Sequence, residues 1–181
     1  PWETNITLLK KLPKGWSSTK ISRLCPDIGS GTTPDKSDEK NFKDASIPWI
    51  MSGDLNDAIL EVPKSHITKY ALAKYSALRV YPAKSIVIAM YGATMGKVSI
   101  LGFPAAVNQA CCVLPPSKNY ESKYLFYALK WIKPFLLSAA MGGAQININQ
   151  ELIKSLRIPF PPVKIQKRIY EYLDREIDAI D

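Results

Sequence analysis

The run Ser85-Ile-Val-Ile-Ala-Met-Tyr91, the turn Gly92-Ala-Thr-Met-Gly-Lys97 and the short run Val98 to Leu101 decide the fold. Both runs are apolar, uninterrupted and of strand length, so together they predict a hairpin buried on both sides. Two glycines bracket the turn and a lysine closes it. Glycine permits close backbone approach, and N–H groups converging there beside one cation suit an anion, phosphate above all. The turn is not a nucleotide P-loop. That pattern needs four residues between its glycines and Ser or Thr after the lysine, whereas three residues and Val98 stand here.

The hairpin lies inside an unusual block. Val62 to Gln150 holds one acid, Glu121, and ten bases: Lys64, Lys69, Lys74, Arg79, Lys84, Lys97, Lys118, Lys123, Lys130 and Lys133. The flanks are nearly balanced, so the formal net charge of +8 comes from this block alone. Segregated positive charge makes a polyanion the leading partner, with these cations expected on one face. The bland alternative is a basic surface without a dedicated ligand.

Outward from the hairpin, Gln109 to Leu114 predicts another strand and Glu121 to Leu137 a periodic helix bent near Pro134. A second glycine-rich turn, Met141-Gly-Gly-Ala-Gln145, breaks that helix. Asn149 caps a short helix, and Arg157 to Phe160 is extended. Upstream, Ser18 is expected to cap a helix through Leu24, and Ile47 to Met51 reads as a strand. Thr68 to Ala77 reads as a helix, and Asp35 to Asp44 as a polar loop. After Pro161-Pro162 the last helix carries Ile165, Ile169, Leu173, Ile177 and Ile180 along one side, a stripe that needs a partner helix.

At 181 residues the chain is expected to form one domain with at most an appendage. Without a run of ~20 apolar residues, or a charged-then-apolar leader, a cytoplasmic setting is expected. Cys25, Cys111 and Cys112 suit small core residues rather than a disulfide framework. His66 has no cysteine or carboxylate at ligand spacing. Pro26-Asp27 followed by Asp38-Glu39-Lys40 imitates a Mg²⁺-dependent PD…(D/E)xK nuclease core, yet the second acid and lysine fall in a polar loop rather than on a rigid strand. A protein-only scaffold acting through the last helix is the other alternative.

What remains is a binder of nucleic acid. The turns Gly29–Pro34, Gly92–Lys97 and Gly142–Gln145 project amides and hydroxyls. Asn108, Gln109, Gln145, Asn147, Asn149 and Gln150 offer side-chain amides suited to adenine edges. Lysines suit phosphates.

These stretches together resemble one half of a type I restriction-modification specificity subunit. The resemblance rests on Leu12-Pro-Lys-Gly-Trp16, Ile28-Gly-Ser-Gly-Thr-Thr-Pro34, Ile47-Pro-Trp-Ile50 with Gly53-Asp54-Leu55, and Ile67-Thr68. It continues through Tyr91 to Lys97, Val107-Asn-Gln109, Gly142 to Gln145, and Ile158-Pro-Phe-Pro-Pro162 with Gln166, Ile169, Leu173-Asp174 and Ile180-Asp181. The motifs keep the family's order over almost the whole chain; Ile165 stands where the family usually has an acid.

The resemblance implies a mixed α/β (α+β) target recognition domain over residues 1–160, with a mixed sheet and flanking helices. The start of a coiled-coil spacer helix follows over 161–181. It implies a non-catalytic DNA-binding chain, selecting a double-stranded half-site for a type I restriction enzyme, for DNA modification or cleavage. S-adenosylmethionine, ATP and Mg²⁺ would belong to methyltransferase (modification) and restriction/translocase partner subunits. A second recognition domain or a homodimer mate would pack through Ile169, Leu173, Ile177 and Ile180. The DNA-binding candidates are Thr32, Thr33, Lys36, Gly92, Thr94, Gly96, Lys97, Gln109 and Gln145, with no catalytic or metal residue.

Overall fold

The structure is a computed structural model, and it describes residues 12–141 and 147–179. At its centre β5 (Ile86–Ala89) pairs antiparallel with β6 (Val98–Leu101), bringing Ile86 opposite Ile100 and Ile88 opposite Val98. The hairpin read from the sequence is therefore present. On its outer sides lie β8 (Cys111–Leu114), antiparallel to β5, and β3 (Ile59–Leu60), parallel to β6, giving the order β3-β6-β5-β8. Every residue of β5, β6 and β8 is buried.

Successive side chains of a strand point to opposite faces, so one apolar sheet feeds two cores. Ile86, Ile88, Val98, Ile100, Cys112 and Leu114 pack with the helix α3 (Ser122–Met141), through Leu125, Leu129 and Ile132. Val87, Ala89, Leu101, Cys111 and Val113 pack with Ile50, Leu55, Leu60, Tyr81 and Val107 on the other face. Cys111 and Cys112 fall in different cores, as adjacent strand residues must. Burial pushes the Cys112 thiol up to about 12 and Cys111 higher still, so both stay protonated and inert.

A second sheet has the order β4-β2-β7 (His66–Ile67, Ile47–Ile50, Ala106–Val107), with an antiparallel and a parallel pairing. It packs with α2 (Lys69–Lys74) around Trp49, Ile67 and Ala71. Thr68 caps α2, its hydroxyl accepting from the Ala71 amide. Asn149 likewise caps α4 (Gln150–Ser155) through the Leu152 amide.

Three expectations change. Ser18 caps nothing: it belongs to β1 (Ser17–Lys20), which pairs antiparallel with β9 (Arg157–Phe160), and α1 (Ile21–Leu24) starts later without a side-chain cap. Helix α3 runs through Pro134 to Met141, with that proline on its exposed side, where water can take the carbonyl that lost its donor. The polar loop Asp35 to Asp44 is built structure. Asp38 caps a 3₁₀ turn, Glu39–Asn41, and accepts from Lys74 Nζ at 2.8 Å, while Thr68 Oγ1 donates to the Lys40 carbonyl.

The last helix, α5 (Val163–Asp178), is fastened to α3. Gln166 is fully buried; its Oε1 accepts from the Glu121 amide at 3.0 Å and its Nε2 donates to the Pro161 carbonyl at 2.9 Å. Further along, Asp174 accepts from Lys123 Nζ and Tyr127 Oη, both at 2.6 Å.

Candidate nucleic-acid interface

One end of the central sheet gathers most of the sequence's candidates. The Gly92–Lys97 turn stands there because it joins β5 to β6. The ribbon Ile28–Pro34 runs to the same end beside β8: Gly29 exchanges both backbone hydrogen bonds with Val113, and the Ser30 hydroxyl donates to the Cys111 carbonyl at 2.6 Å. Gly31 then passes so close to β7 that an added Cβ would lie 1.8 Å from the Val107 carbonyl oxygen. This brings Thr33 to Gln109, hydroxyl to side-chain oxygen at 2.7 Å. The Met90 amide donates to the Ala110 carbonyl, and the Ile148 amide to the Met90 carbonyl, setting exposed Asn147 beside the turn.

The turn uses its amides differently from expectation. Met95, Gly96 and Lys97 donate to the carbonyls of Gly92, Ala89 and Thr94, so they are closed to a ligand. Those of Gly92, Ala93 and Thr94 make no hydrogen bond within the described residues. Gly96 is itself buried, at φ +79°, and a Cβ there would sit 3.0 Å from Leu137 Cδ2. It seats the turn on α3, and its bonded amide is not open for the expected DNA contact. Thr94 and Lys97 are half-exposed, and Lys97 has no carboxylate partner among the described residues.

The amides also divide. Asn108 is buried, its Oδ1 accepting from the Ala110 amide, and Asn149 is a helix cap: both serve the backbone. Gln109 is exposed, but its oxygen is engaged by Thr33, so this arrangement leaves the amide nitrogen as donor rather than a free bidentate pair. Thr32 is half-buried in the same ribbon. Lys36 rides on an exposed turn held by Asp35, which accepts from the Ser37 amide and hydroxyl; those bonds hold the Asp35 carboxyl below its usual range. Gln145, its glycine turn and Ile180 lie outside the described residues.

The basic block does not form one positive face. Lys64, Lys74, Arg79, Lys123 and Lys133 pair with Asp54, Asp38, Asp27, Asp174 and Asp57, all supplied by the flanks. Folding brings acids to the cations that the sequence kept apart. Of the other five, Lys97 and Lys130 stand at the turn end of the central sheet and Lys84 and Lys118 at its far end, while Lys69 opens α2 on the second sheet.

Asp57 is the residue that sequence reasoning missed. Its Oδ1 accepts from the Val98 amide at 2.9 Å, its Oδ2 from Lys133 Nζ at 3.2 Å and its carbonyl from Lys130 Nζ at 3.3 Å. It holds φ +62°, a left-handed conformation that aspartate tolerates better than most residues. The Asn56-Asp57 pair after Leu55 was the available signal, since such residues favour turns. Asp57 locks the root of the hairpin to α3.

The nuclease alternative fares poorly in this geometry. Asp27 pairs with Arg79 at 2.9 Å, and Asp38 is a turn cap held by Lys74, so the two acids serve separate structures. No group of three potential metal-binding side chains occurs among the described residues.

Residues 13–181 match the family model described as the type I restriction modification DNA specificity domain. The chain belongs to that family. Relatives within the specificity-domain family include the specificity subunit of the type I restriction enzyme EcoR124I/EcoR124II of Escherichia coli, 30% identical over 150 residues, covering 80% of this chain and 37% of that subunit. The MjaIX specificity subunit of Methanocaldococcus jannaschii is 28% identical over 187 residues, covering 99% and 42%. The chain thus spans about two fifths of the length of these specificity subunits. Among solved structures, the HsdS subunit of Thermoanaerobacter tengcongensis superimposes with a TM-score of 0.73 at 23% identity, over 99% of this chain and 43% of that one. A chain solved for the assembly and conformational transition of a type I restriction-modification system gives 0.74 at 22%, over 99% and 45%. These likenesses show the mixed α/β fold of a specificity domain.

Proposed function

We propose that this chain is a target recognition domain that reads one half-site of double-stranded DNA for a type I restriction-modification complex, without catalysing a reaction itself. The supporting observation is the convergence at one sheet end of the Gly92–Lys97 turn, the Thr33–Gln109 pair and Asn147. Lys97, the Thr94 hydroxyl and the open amides of Gly92 to Thr94 hold backbone phosphate. Thr32, Thr33, Lys36, Gln109 and Gln145 make further DNA contacts. Arg and Lys at phosphates fix position, while side chains at base edges choose sequence.

Partner subunits carry methyl transfer, ATP use and cleavage, together with their S-adenosylmethionine, ATP and Mg²⁺; the setting is cytoplasmic. Along α5, Ile169 packs inward on the main core, whereas Leu173 lines an open groove of about 1030 Å³ beside Trp16 and Ile177 is exposed. That half-covered stripe, with Ile180, receives a second recognition domain or a homodimer mate, and an isologous pair favours a symmetric target.

Selection from a randomised duplex pool, run with the modification subunit present, tests the reading. An enriched half-site that changes when residues 92–97 and 109 are exchanged for a relative's supports it. A pool that stays random with the assembled complex overturns it.

A further inference from the structure

The far end of the central sheet, opposite the Gly92–Lys97 turn, holds a recess of about 560 Å³ between the ends of β5 and β6 and the start of α3. Its walls include Ile59, 40% exposed, and the ring of Tyr170. Its charged groups are Lys84, Lys118 and Lys123 against one acid, Glu121. Lys123 is fixed, bonded to Asp174 and lying 5.8 Å from the centre of the Tyr170 ring. Lys84 and Lys118 are exposed and have no carboxylate partner among the described residues.

Lys84 provides a second, independent observation. It sits at φ +67°, held by its amide's bond to the Leu101 carbonyl and by the neighbouring Ser85–Pro82 turn. The other non-glycine residues in that region, among those described, are Asp44 and Asp57, of the type whose short side chain bonds locally and tolerates it. Lysine has no such compensation, and glycine would be the unstrained occupant. Such conformations cluster at functional sites.

We propose that this recess docks an acidic segment of a companion subunit, whose carboxylates meet Lys84 and Lys118 while its apolar side chains cover Ile59. The inference rests on reading the chain as part of a multi-subunit assembly. An apolar wall with lysines at its edge fits an amphipathic peptide better than a bare phosphate. Its position also leaves the DNA-facing end free, since both ends belong to the same strands and point in opposite directions.

The test uses the assembled complex. Carbodiimide coupling joins lysine amines to contacting carboxylates, and mass mapping is expected to find Lys84 or Lys118 linked to Asp or Glu of a companion subunit. The double substitution Lys84→Glu/Lys118→Glu should weaken assembly at least tenfold, with the selected DNA sequence unchanged. Lys84→Gly should raise Tm yet weaken assembly, which separates docking from misfolding. Unchanged assembly in the double variant overturns the proposal, as does a loss of duplex affinity in its place, which would make the recess a phosphate contact. If even the unsubstituted chain neither assembles nor selects a sequence, the functional reading fails and takes this inference with it.

Discussion

The two ends of the central sheet draw on one basic block and use it in opposite ways. At the turn end, Lys130 and Lys133 are tied to Asp57, leaving Lys97 as the cation beside open backbone amides. At the far end, Lys84 and Lys118 flank an apolar wall and form no ion pair among the described residues. Proximity in sequence therefore says little about proximity of charge in space. A lysine's character is set by the acid that the fold delivers to it, and all of those acids but Asp54 come from segments far along the chain.

Four experiments test this contrast. The largest effect belongs to Gly31→Ala, whose methyl would overlap the Val107 carbonyl. Backbone must move, and a loss of about 3 kcal/mol is expected in denaturant unfolding, with the Thr33–Gln109 pair displaced. A cost under about 0.5 kcal/mol, the range of surface substitutions, would mean that the ribbon gives way freely. Next is Lys97→Ala, expected to weaken duplex binding by about 1.5 kcal/mol for every sequence alike and to flatten the salt slope by about one unit. A sequence-dependent loss would make Lys97 a base reader instead.

Asp57→Asn tests the same end with the opposite sign. Asparagine tolerates the left-handed conformation and retains an oxygen for the Val98 amide, yet it frees Lys133 from its ion pair. Duplex affinity should rise for all sequences, with a salt slope steeper by about one unit in a titration against ionic strength. A fall in affinity would show that Asp57 acts only through hairpin geometry. The smallest effect is at Asp174. Burial alone would raise its carboxyl, but the bonds from Lys123 and Tyr127 outweigh that and hold it below the usual aspartate range. Its folded value is depressed, so its contribution is present above the unfolded value near 4 and is lost as pH falls through the folded value. Asp174→Asn should cost under about 1 kcal/mol at neutral pH and nothing in strong acid, as read by unfolding at the two pH values.

Local signals carried much of the fold. The hairpin was legible because two apolar runs flank a glycine turn, and α3 because its apolar residues recur at helical spacing. Asn149 announced its helix, since a cap needs only the amide three residues on, whereas α2 was read from its apolar spacing and its Thr68 cap emerged with the structure. The β1–β9 pairing was not legible. Ser17 and Phe160 are 143 residues apart, and the four polar residues of β1 lack the apolar signature of a strand. The two-residue strands of the β4-β2-β7 sheet are defined by partner backbones rather than composition. The candidate interface was half legible: glycine turns marked where the chain reverses, but which amides stay open depends on closures such as Gly96 to Ala89. That Thr33 and Gln109 engage each other, and that Asp57 fastens the hairpin, required knowing which loops meet.

Gln166 has a consequence beyond packing. One sealed carboxamide, gripping the carbonyl before its own helix and the amide just before α3, ties the base of α5 to its neighbour. Whatever clasps that helix receives a handle whose heading is already set. Under the proposed function, the spacing between two such domains on a duplex would be gauged by the handle, like the fixed arm of a caliper, and changes at the turn end would leave that measure unaltered.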